Sequence, residues 1–340
     1  MAKSVTLRDV AAYAGVSITT VSNVVRKWPY VSSEMRDRVQ QAIDVLGYTP
    51  HIVAQGLRTG QTQALAFVVP DLSNPYFAEI VAAAEDAAQN SGYTLLVFNS
   101  HEDPAREATC IQRASKRWAD GLLITHSHLS QWPDSFWDNI DIPVVIVDRI
   151  PDHTHYPICS VDNLRVGQLA TEHLVGLGHR QIAHIAGPQA VRLAVDRSLA
   201  YTQILDAHGI EYRQVVYSGA GWGASDGYSC MRGLLAETHR PTAVFTSNDR
   251  VAIGALHAIY EHGLRVPDDI SLVGVDDIEI SAHLNPPLTT VRQPLDKLAA
   301  LAVDHLLRLI RGEALEDPVT LLQPELIIRQ STAPLSGGRS

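Results

Sequence analysis

Residues 6–25 read TLRDVAAYAGVSITTVSNVV, and the head of the chain is decided here. Leu7, Val10, Ala11 and Ala14 recur at helical spacing and mark the inner face of a short helix. Thr6 stands at the N-cap position with Asp9 three residues on, the pattern of a capping box. Gly15 follows, a residue that accepts positive φ without a Cβ clash and so permits a tight turn. Ser17 then caps a second helix, Ile18 to about Arg26, whose inner face is Val16, Val21 and Val24 or Val25. Two short helices joined by a glycine turn describe a helix-turn-helix. Its outward residues, Ile18, Thr19, Thr20, Ser22, Asn23 and Arg26, are short, polar or cationic, as a helix laid in the DNA major groove requires.

A third helix is expected over Ser33–Leu46, with Val39, Ala42, Ile43 and Leu46 as its apolar stripe, Gly47 ending it and Pro50 preventing continuation. Residues 51–60, HIVAQGLRTG, read as a short basic linker. The net charge of −10 argues at first against nucleic acid, but its distribution reverses that. Residues 1–60 hold seven Lys and Arg against four Asp and Glu, a net +3, which leaves −13 on the other 280 residues. A basic head on an acidic body concentrates phosphate attraction at one end.

Beyond residue 62 short apolar runs alternate with amphipathic segments. Strands are expected at Ala64–Val69, Thr94–Phe98, Gly121–Ile124, Val144–Val147, Ile182–Ile185, Val215–Tyr217, Ala243–Phe245 and Ser271–Val275. Helices are expected at Tyr76–Asn90, Ala105–Trp118, Arg165–Leu177, Asp196–His208 and Asp249–His262. That alternation predicts parallel sheets with helices on both faces and ligands beyond the carboxyl ends of the strands. Polar residues cluster there: Asp71, Asp148, Asn248, Asp249, Asp276 and Asp277 follow strands, and Arg197 begins a helix after a loop. Such a set hydrogen-bonds hydroxyl groups, and the indole of Trp222, in a glycine-rich loop, suits the apolar face of a sugar ring. For each acidic residue alone, a helix cap or a turn is the commoner role.

The head sequence, continued by VSSEMRDRVQQAIDVLGYTPHIVAQGLRTG (31–60), resembles that of the lactose-repressor (LacI/GalR) family of transcription factors. The similarity runs on through VPDLSNPYFAEI (69–80), VDNLRVGQLATEHLVGLGHRQIAHIAG (161–187), NDRVAIGA (248–255), LRVPDDISLVGVDD (264–277) and PPLTTVRQP (286–294). It implies an N-terminal all-α helix-turn-helix headpiece (1–50), a hinge helix or linker (51–61) and an α/β two-lobed, periplasmic-binding-protein-like core with parallel sheets (62–333), then a tail (334–340). The chain would cross between lobes near Asp162, Thr290 and Pro324, giving an N-lobe of about 62–161 with 291–323 and a C-lobe of about 162–290 with 324–333.

The resemblance also implies roles. Thr6, Thr20, Ser22 and Tyr48 would position the DNA backbone, while Ile18, Thr19 and Asn23 would read base edges. Ile52–Arg58 would become a hinge helix in the minor groove, with Leu57 wedged between base pairs and Arg58 on the same groove or its phosphates. Asp71, Phe77, Asp148, Arg197, Trp222, Asn248, Asp276 and Gln293 would contact an effector. The partners implied are pseudo-palindromic operator DNA, a carbohydrate-like effector and a second copy of the chain in a homodimer. Ala190–Val195 is more apolar than the matching loop of many members, which points away from a common disaccharide.

Enzyme readings are weaker. GAGWGA (219–224) imitates a dinucleotide fingerprint without its acidic residue about 20 positions on. The pairs His126/His128 and His153/His155 lack further metal-ligand spacing, and Cys110, Cys159 and Cys230 are too scattered for a disulfide framework or zinc site. No P-loop occurs, and neither cofactor nor metal is expected. No apolar run approaches a membrane span and no leader stands at Met1, so a cytoplasmic location and no membrane partner are expected. The tail after Arg329 lacks heptad leucines, so a tetramer is not expected. The rival to a repressor is a sugar carrier or sugar-handling enzyme with a non-functional head, and the basic, capped head argues against it.

Overall fold

Glycine breaks divide the head into three helices in the computed structural model, which describes residues 5–25, 28, 30–48, 62–116, 118–127, 132–151, 154–219 and 221–335. The chain separates into two units, Met1–Thr62 and Gln63–Ser340. In the first, α1 (Leu7–Ala14), α2 (Ile18–Val25) and α3 (Ser33–Leu46) close on a core of Val10, Ala11, Ala14, Val21, Val24, Val39, Ala42 and Tyr48. At the start of α1 the Asp9 carboxylate accepts from both the Thr6 amide (2.8 Å) and the Thr6 hydroxyl (2.6 Å). Gly15 adopts φ 65° and Gly47 φ 62°, the left-handed caps that glycine allows.

The second unit holds two six-stranded sheets. The first contains β1 (Ala64–Val69), β2 (Thr94–Asn99), β3 (Gly121–Ile124), β4 (Val144–Val147), β5 (Ile158–Val161) and β11 (Val319–Leu322), in the order β11-β5-β4-β3-β1-β2, all parallel. The second contains β6 (Ile182–Ala186), β7 (Gln214–Tyr217), β8 (Ala243–Thr246), β9 (Ser271–Asp276), β10 (Thr289–Arg292) and β12 (Glu325–Ile327). Its order is β12-β10-β9-β8-β6-β7, with only β12 antiparallel. Buried on both faces, the inner strands are uninterrupted apolar runs.

Helices cover the sheets: α4 (Pro75–Asn90), α5 (Pro104–Ser115), the short α6 (Asp134–Trp137), α7 (Asn163–Gly176), α8 (Arg192–Ala207), α9 (Ala224–Ala236), α10 (Asp249–Glu261) and α11 (Leu295–Ile310). The chain leaves the first sheet after Val161 and returns to it through α11, whose Leu298, Ala302 and Leu306 join a core with Leu123 and Val145. The second crossing, expected near Thr290, lies just beyond Arg292, because Thr289–Arg292 is paired along β9 in the second sheet. The third lies between Leu322 and Glu325.

β5, β10, β11 and β12 were not among the expected strands. They have three or four residues each, mix Cys, Ser, Thr, Arg or Glu with apolar residues, and owe their form to their neighbours in the sheet. Helix α8 begins at Arg192, four residues earlier than expected, so Arg197 sits in its second turn and not at its start.

Candidate functional site

The carboxyl ends of β1, β4, β8 and β9 open on one cleft between the two sheets. It is lined by Asn74, Tyr76, Phe77, Asp148, Arg149, Leu193, Arg197, Trp222, Asn248, Asp276 and Gln293, around free space of about 330 Å3 continuous with solvent. Seven of the eight residues assigned to effector contact line it. The eighth, Asp71, stands beside it: one oxygen accepts from the Ser73 amide (2.9 Å) and hydroxyl (2.6 Å), and the other pairs with Arg250 of α10 at 3.4 Å.

Backbone strain marks the acidic members. Asp148 follows β4 with φ 68°, Asp276 ends β9 with φ 111°, and Asp277 follows with φ 61°. Such conformations persist where surrounding structure enforces them, and they gather at ligand sites. They also send the adjacent aspartates apart. Asp276 accepts from Gln293 Nε2 at 2.7 Å in the cleft, while Asp277 pairs outside it with Arg292 (2.7 Å) and Arg329 (2.6 Å).

Asp148 accepts from the Tyr76 hydroxyl at 2.8 Å, and the Tyr76 ring stands edge-on to Phe77 with centroids 5.1 Å apart. Burial pushes the carboxyls of Asp148 and Asp276 up from the usual range, against the pull of Arg149 on the first and of Arg197 on both. Burial acts downward on the Arg197 guanidinium, and Asp276 and Asp148 oppose it. Arginine keeps its charge in such a setting, so the cleft holds two buried guanidinium groups facing two carboxyls.

Arg149 fills a particular place. Its fork pairs with both oxygens of Glu102 (3.0 and 2.9 Å), Nη1 also donates to the His126 carbonyl (3.1 Å), and its centre lies 5.4 Å from the Phe77 ring and 5.7 Å from the Trp222 ring. A ring ligand on that face of Trp222 must move the guanidinium or stack on it. Asn248 holds the tryptophan loop. Its Oδ1 caps α10 through the Val251 amide (2.8 Å) and its Nδ2 donates to the Trp222 carbonyl (3.2 Å). Capping and cleft-lining thus fall on one side chain.

Asn74, Tyr76, Arg149 and Leu193 escaped the sequence reading. Asn74 and Tyr76 had a signal: Asn-Pro begins a helix, and the first turn of α4 points at the strand ends. Arg149 had none beyond adjacency to Asp148.

The glycines of GAGWGA serve local structure. The Asp226 carboxylate accepts from the Gly223 amide at 2.9 Å, and a Cβ on Gly221 would stand 2.1 Å from that same carboxylate. His126 pairs with buried Glu107 at 3.0 Å, and among the described residues no group of three His, Cys, Asp or Glu is disposed to hold a metal. His128 and His153 lie outside the described residues. No helix among them is long and apolar enough to cross a membrane.

On the head, Ser17 caps α2 through the Thr20 amide (3.0 Å), and Thr6, Ile18 and Thr19 are exposed, Ile18 by 43%. Thr20 and Asn23 are half-buried. Ser22 is not outward as expected: it is 6% exposed, one position on from Val21 on a short helix flanked by α1 and α3. Tyr48 is likewise packed in the head's core, where burial raises its phenol. Arg26, Leu57, Arg58 and the whole Ile52–Arg58 hinge lie outside the described residues.

A capped helix-turn-helix followed by a two-sheet core with a polar cleft defines an effector-controlled DNA-binding protein. Residues 6–51 match the lacI family of bacterial regulatory proteins, and residues 171–332 match the periplasmic binding protein-like domain. The chain is 36% identical to the HTH-type transcriptional repressor PurR of Pasteurella multocida over 327 residues, covering 96% of this chain and 98% of that one. It is 36% identical to the ribose operon repressor of Halalkalibacterium halodurans over 96% and 97% of the two chains. The lac repressor dimer bound to operator and the anti-inducer ONPF superposes with a TM-score of 0.87 at 34% identity, over 97% of this chain and all of that one. The transcriptional regulator CelR in complex with cellobiose gives 0.73 at 30%, over 96% and 99%. The chain belongs to the LacI family: it is a DNA-binding transcriptional repressor regulated by an effector, and not an enzyme.

Proposed function

We propose that this repressor acts as a homodimer on a pseudo-palindromic operator and that its effector is a sugar or sugar derivative bound between the two lobes. The observation carrying the effector class is the convergence of Asp148, Arg197, Asn248, Asp276 and Gln293 on one cleft beside the rings of Phe77 and Trp222. Paired donors and acceptors about an aromatic wall suit a ring bearing several hydroxyls. In the head, Ile18, Thr19 and Asn23 read base edges, and Thr6, Thr20 and Arg26 hold the backbone. Ser22 and Tyr48, being buried, support that surface from behind. Leu57 and Arg58 enter the minor groove from the hinge. Effector contact with both lobes changes their relation, and the paired hinges carry that change to the DNA.

One observation favours a second ligand class. The Arg149 guanidinium, a flat cation, lies over two aromatic rings, a slot that also suits a planar nucleobase.

Fluorescence anisotropy on DNA from the gene's own upstream region, at fixed salt, with a panel of sugars and purine bases, tests the whole reading. Salt-sensitive binding that one sugar weakens establishes an inducible repressor with a sugar effector. A response to a purine alone overturns the sugar assignment. Failure on that DNA and on a randomised palindrome library overturns the operator-binding reading.

A further inference from the structure

We infer that Asn163, which does not line the cleft, is a positioning residue that fixes the plane of the Arg197 guanidinium. The inference rests on the effector role proposed for Arg197. Asn163 is 6% exposed and opens α7 directly after Asp162, at the first crossing between the sheets. Its side-chain carbonyl accepts from Arg197 Nε at 2.9 Å, and its amide donates to the Val161 carbonyl at 3.0 Å. Arg197 Nη1 donates to the Ser247 carbonyl at 2.6 Å. Two anchors on one planar fork, from α7 and from the end of β8, set its orientation as well as its place. Orientation is what a guanidinium contributes to recognising a paired acceptor.

The backbone makes room for this contact. A Cβ on Gly167 would stand 2.5 Å from the Arg197 carbonyl and 2.8 Å from Ala200 Cβ, so α7 and α8 approach closely only because residue 167 is glycine. Asn163 lies one turn before Gly167 on the same face, which brings its side-chain oxygen to the Arg197 Nε–H. No aliphatic side chain supplies both the acceptor for Arg197 and the donor for Val161. Asp162 caps α7 through the Arg165 amide at 3.0 Å, so the anchor is itself fixed to the crossing.

The test uses the full chain labelled with 15N-arginine. The Arg197 Nε–H resonance is assigned by its loss in Arg197→Lys. In Asn163→Ala that resonance moves and its exchange with water quickens on the order of tenfold, while Asn163→Asp, which keeps an acceptor, restores slow exchange. D-ribose and cellobiose serve as binding probes. Asn163→Ala weakens the binding of a probe on the order of tenfold in the parent and adds nothing in the Arg197→Lys background. An unchanged Arg197 resonance in Asn163→Ala overturns the inference, as does a further loss of probe affinity in the double variant. Undiminished probe binding in Arg197→Lys overturns the effector role of Arg197 instead, and the resonance then reports the positioning contact separately.

Discussion

Gly187 and Trp222 lie so close that a Cβ on Gly187 would stand 2.4 Å from the indole Cη2. The indole is wedged between that backbone and the Arg149 guanidinium, with Val191, Leu193 and Ala194 packed against it. Gly187→Ala therefore displaces the ring and changes the wall of the cleft. The expected loss of stability is about 1–3 kcal/mol, the usual range for an overpacked site. Thermal melting with and without the effector found by the anisotropy panel checks it. An unshifted melt with full effector stabilisation would mean that the indole yields without cost.

Asp249 has a pH signature. Its carboxylate is buried and accepts from Ser281 Oγ (2.5 Å), Thr290 Oγ1 (2.6 Å) and the Ile278 amide (3.1 Å). Burial pushes it up from 3.8 to about 7, the three hydrogen bonds acting the other way. The folded chain thus holds this proton more tightly than the unfolded chain. The resulting stability is complete below the unfolded value and is lost as pH rises through about 7, at roughly 1.4 kcal/mol per unit. Asn in its place keeps the acceptor for Ser281 and Ile278 and donates to a turned Thr290 hydroxyl. The melting temperature of Asp249→Asn, taken relative to the parent, should climb from pH 4 to about 7 and then level. A flat difference would show that Asp249 is ionised throughout.

The two aspartate positions show where sequence reading reached its limit. That Asp276 and Asp277 stand at a strand end follows from the apolar run before them, and the helix after Asn248 follows from its apolar spacing. Both were legible because they are local. Arg149 was not, since its place depends on Glu102 and on rings from two lobes, and no periodicity encodes contacts between distant segments. Ser22 failed for a related reason: on a helix of eight residues flanked by two others, a small hydroxyl is buried at little cost, so polarity did not report its side. The same holds for β5, β10, β11 and β12, whose form comes from the sheets they join.

The head tests a turn. Gly15 has φ 65°, and a Cβ there would lie 3.1 Å from Arg38 Nη2, which donates to the Ala14 carbonyl at 2.7 Å. Gly15→Ala strains the backbone and disturbs the arginine that closes the end of α1, costing about 1–2 kcal/mol. Gly15→Asn costs less, because asparagine enters this region more readily. Hydrogen exchange of the α1 amides in the full chain should quicken in the order parent, Asn, Ala. Equal protection in all three would refute the turn argument.

The most demanding prediction concerns two glycines that fix how the tryptophan loop meets α10. A Cβ on Gly254 would stand 1.8 Å from the Ala224 carbonyl oxygen, and one on Gly227 would stand 2.0 Å from that of Val251. The contact is reciprocal, so α9 and α10 cross backbone on backbone, and carbonyls cannot rotate away as side chains do. The N-termini of these helices carry the Trp222 loop and Asn248, joined at 3.2 Å. Gly254→Ala must therefore push the helices apart, at about 3 kcal/mol, and break the Asn248 bond to Trp222. Gly233, on the same helix α9, has nothing within 4 Å of its added Cβ. Gly233→Ala should stabilise the chain by about 0.5–1 kcal/mol, since it removes only backbone freedom. Opposite shifts in urea midpoint, with effector response lost in Gly254→Ala alone, would tie the crossing to the cleft. If both variants shift the midpoint alike, close helix contact does not set the geometry of this site.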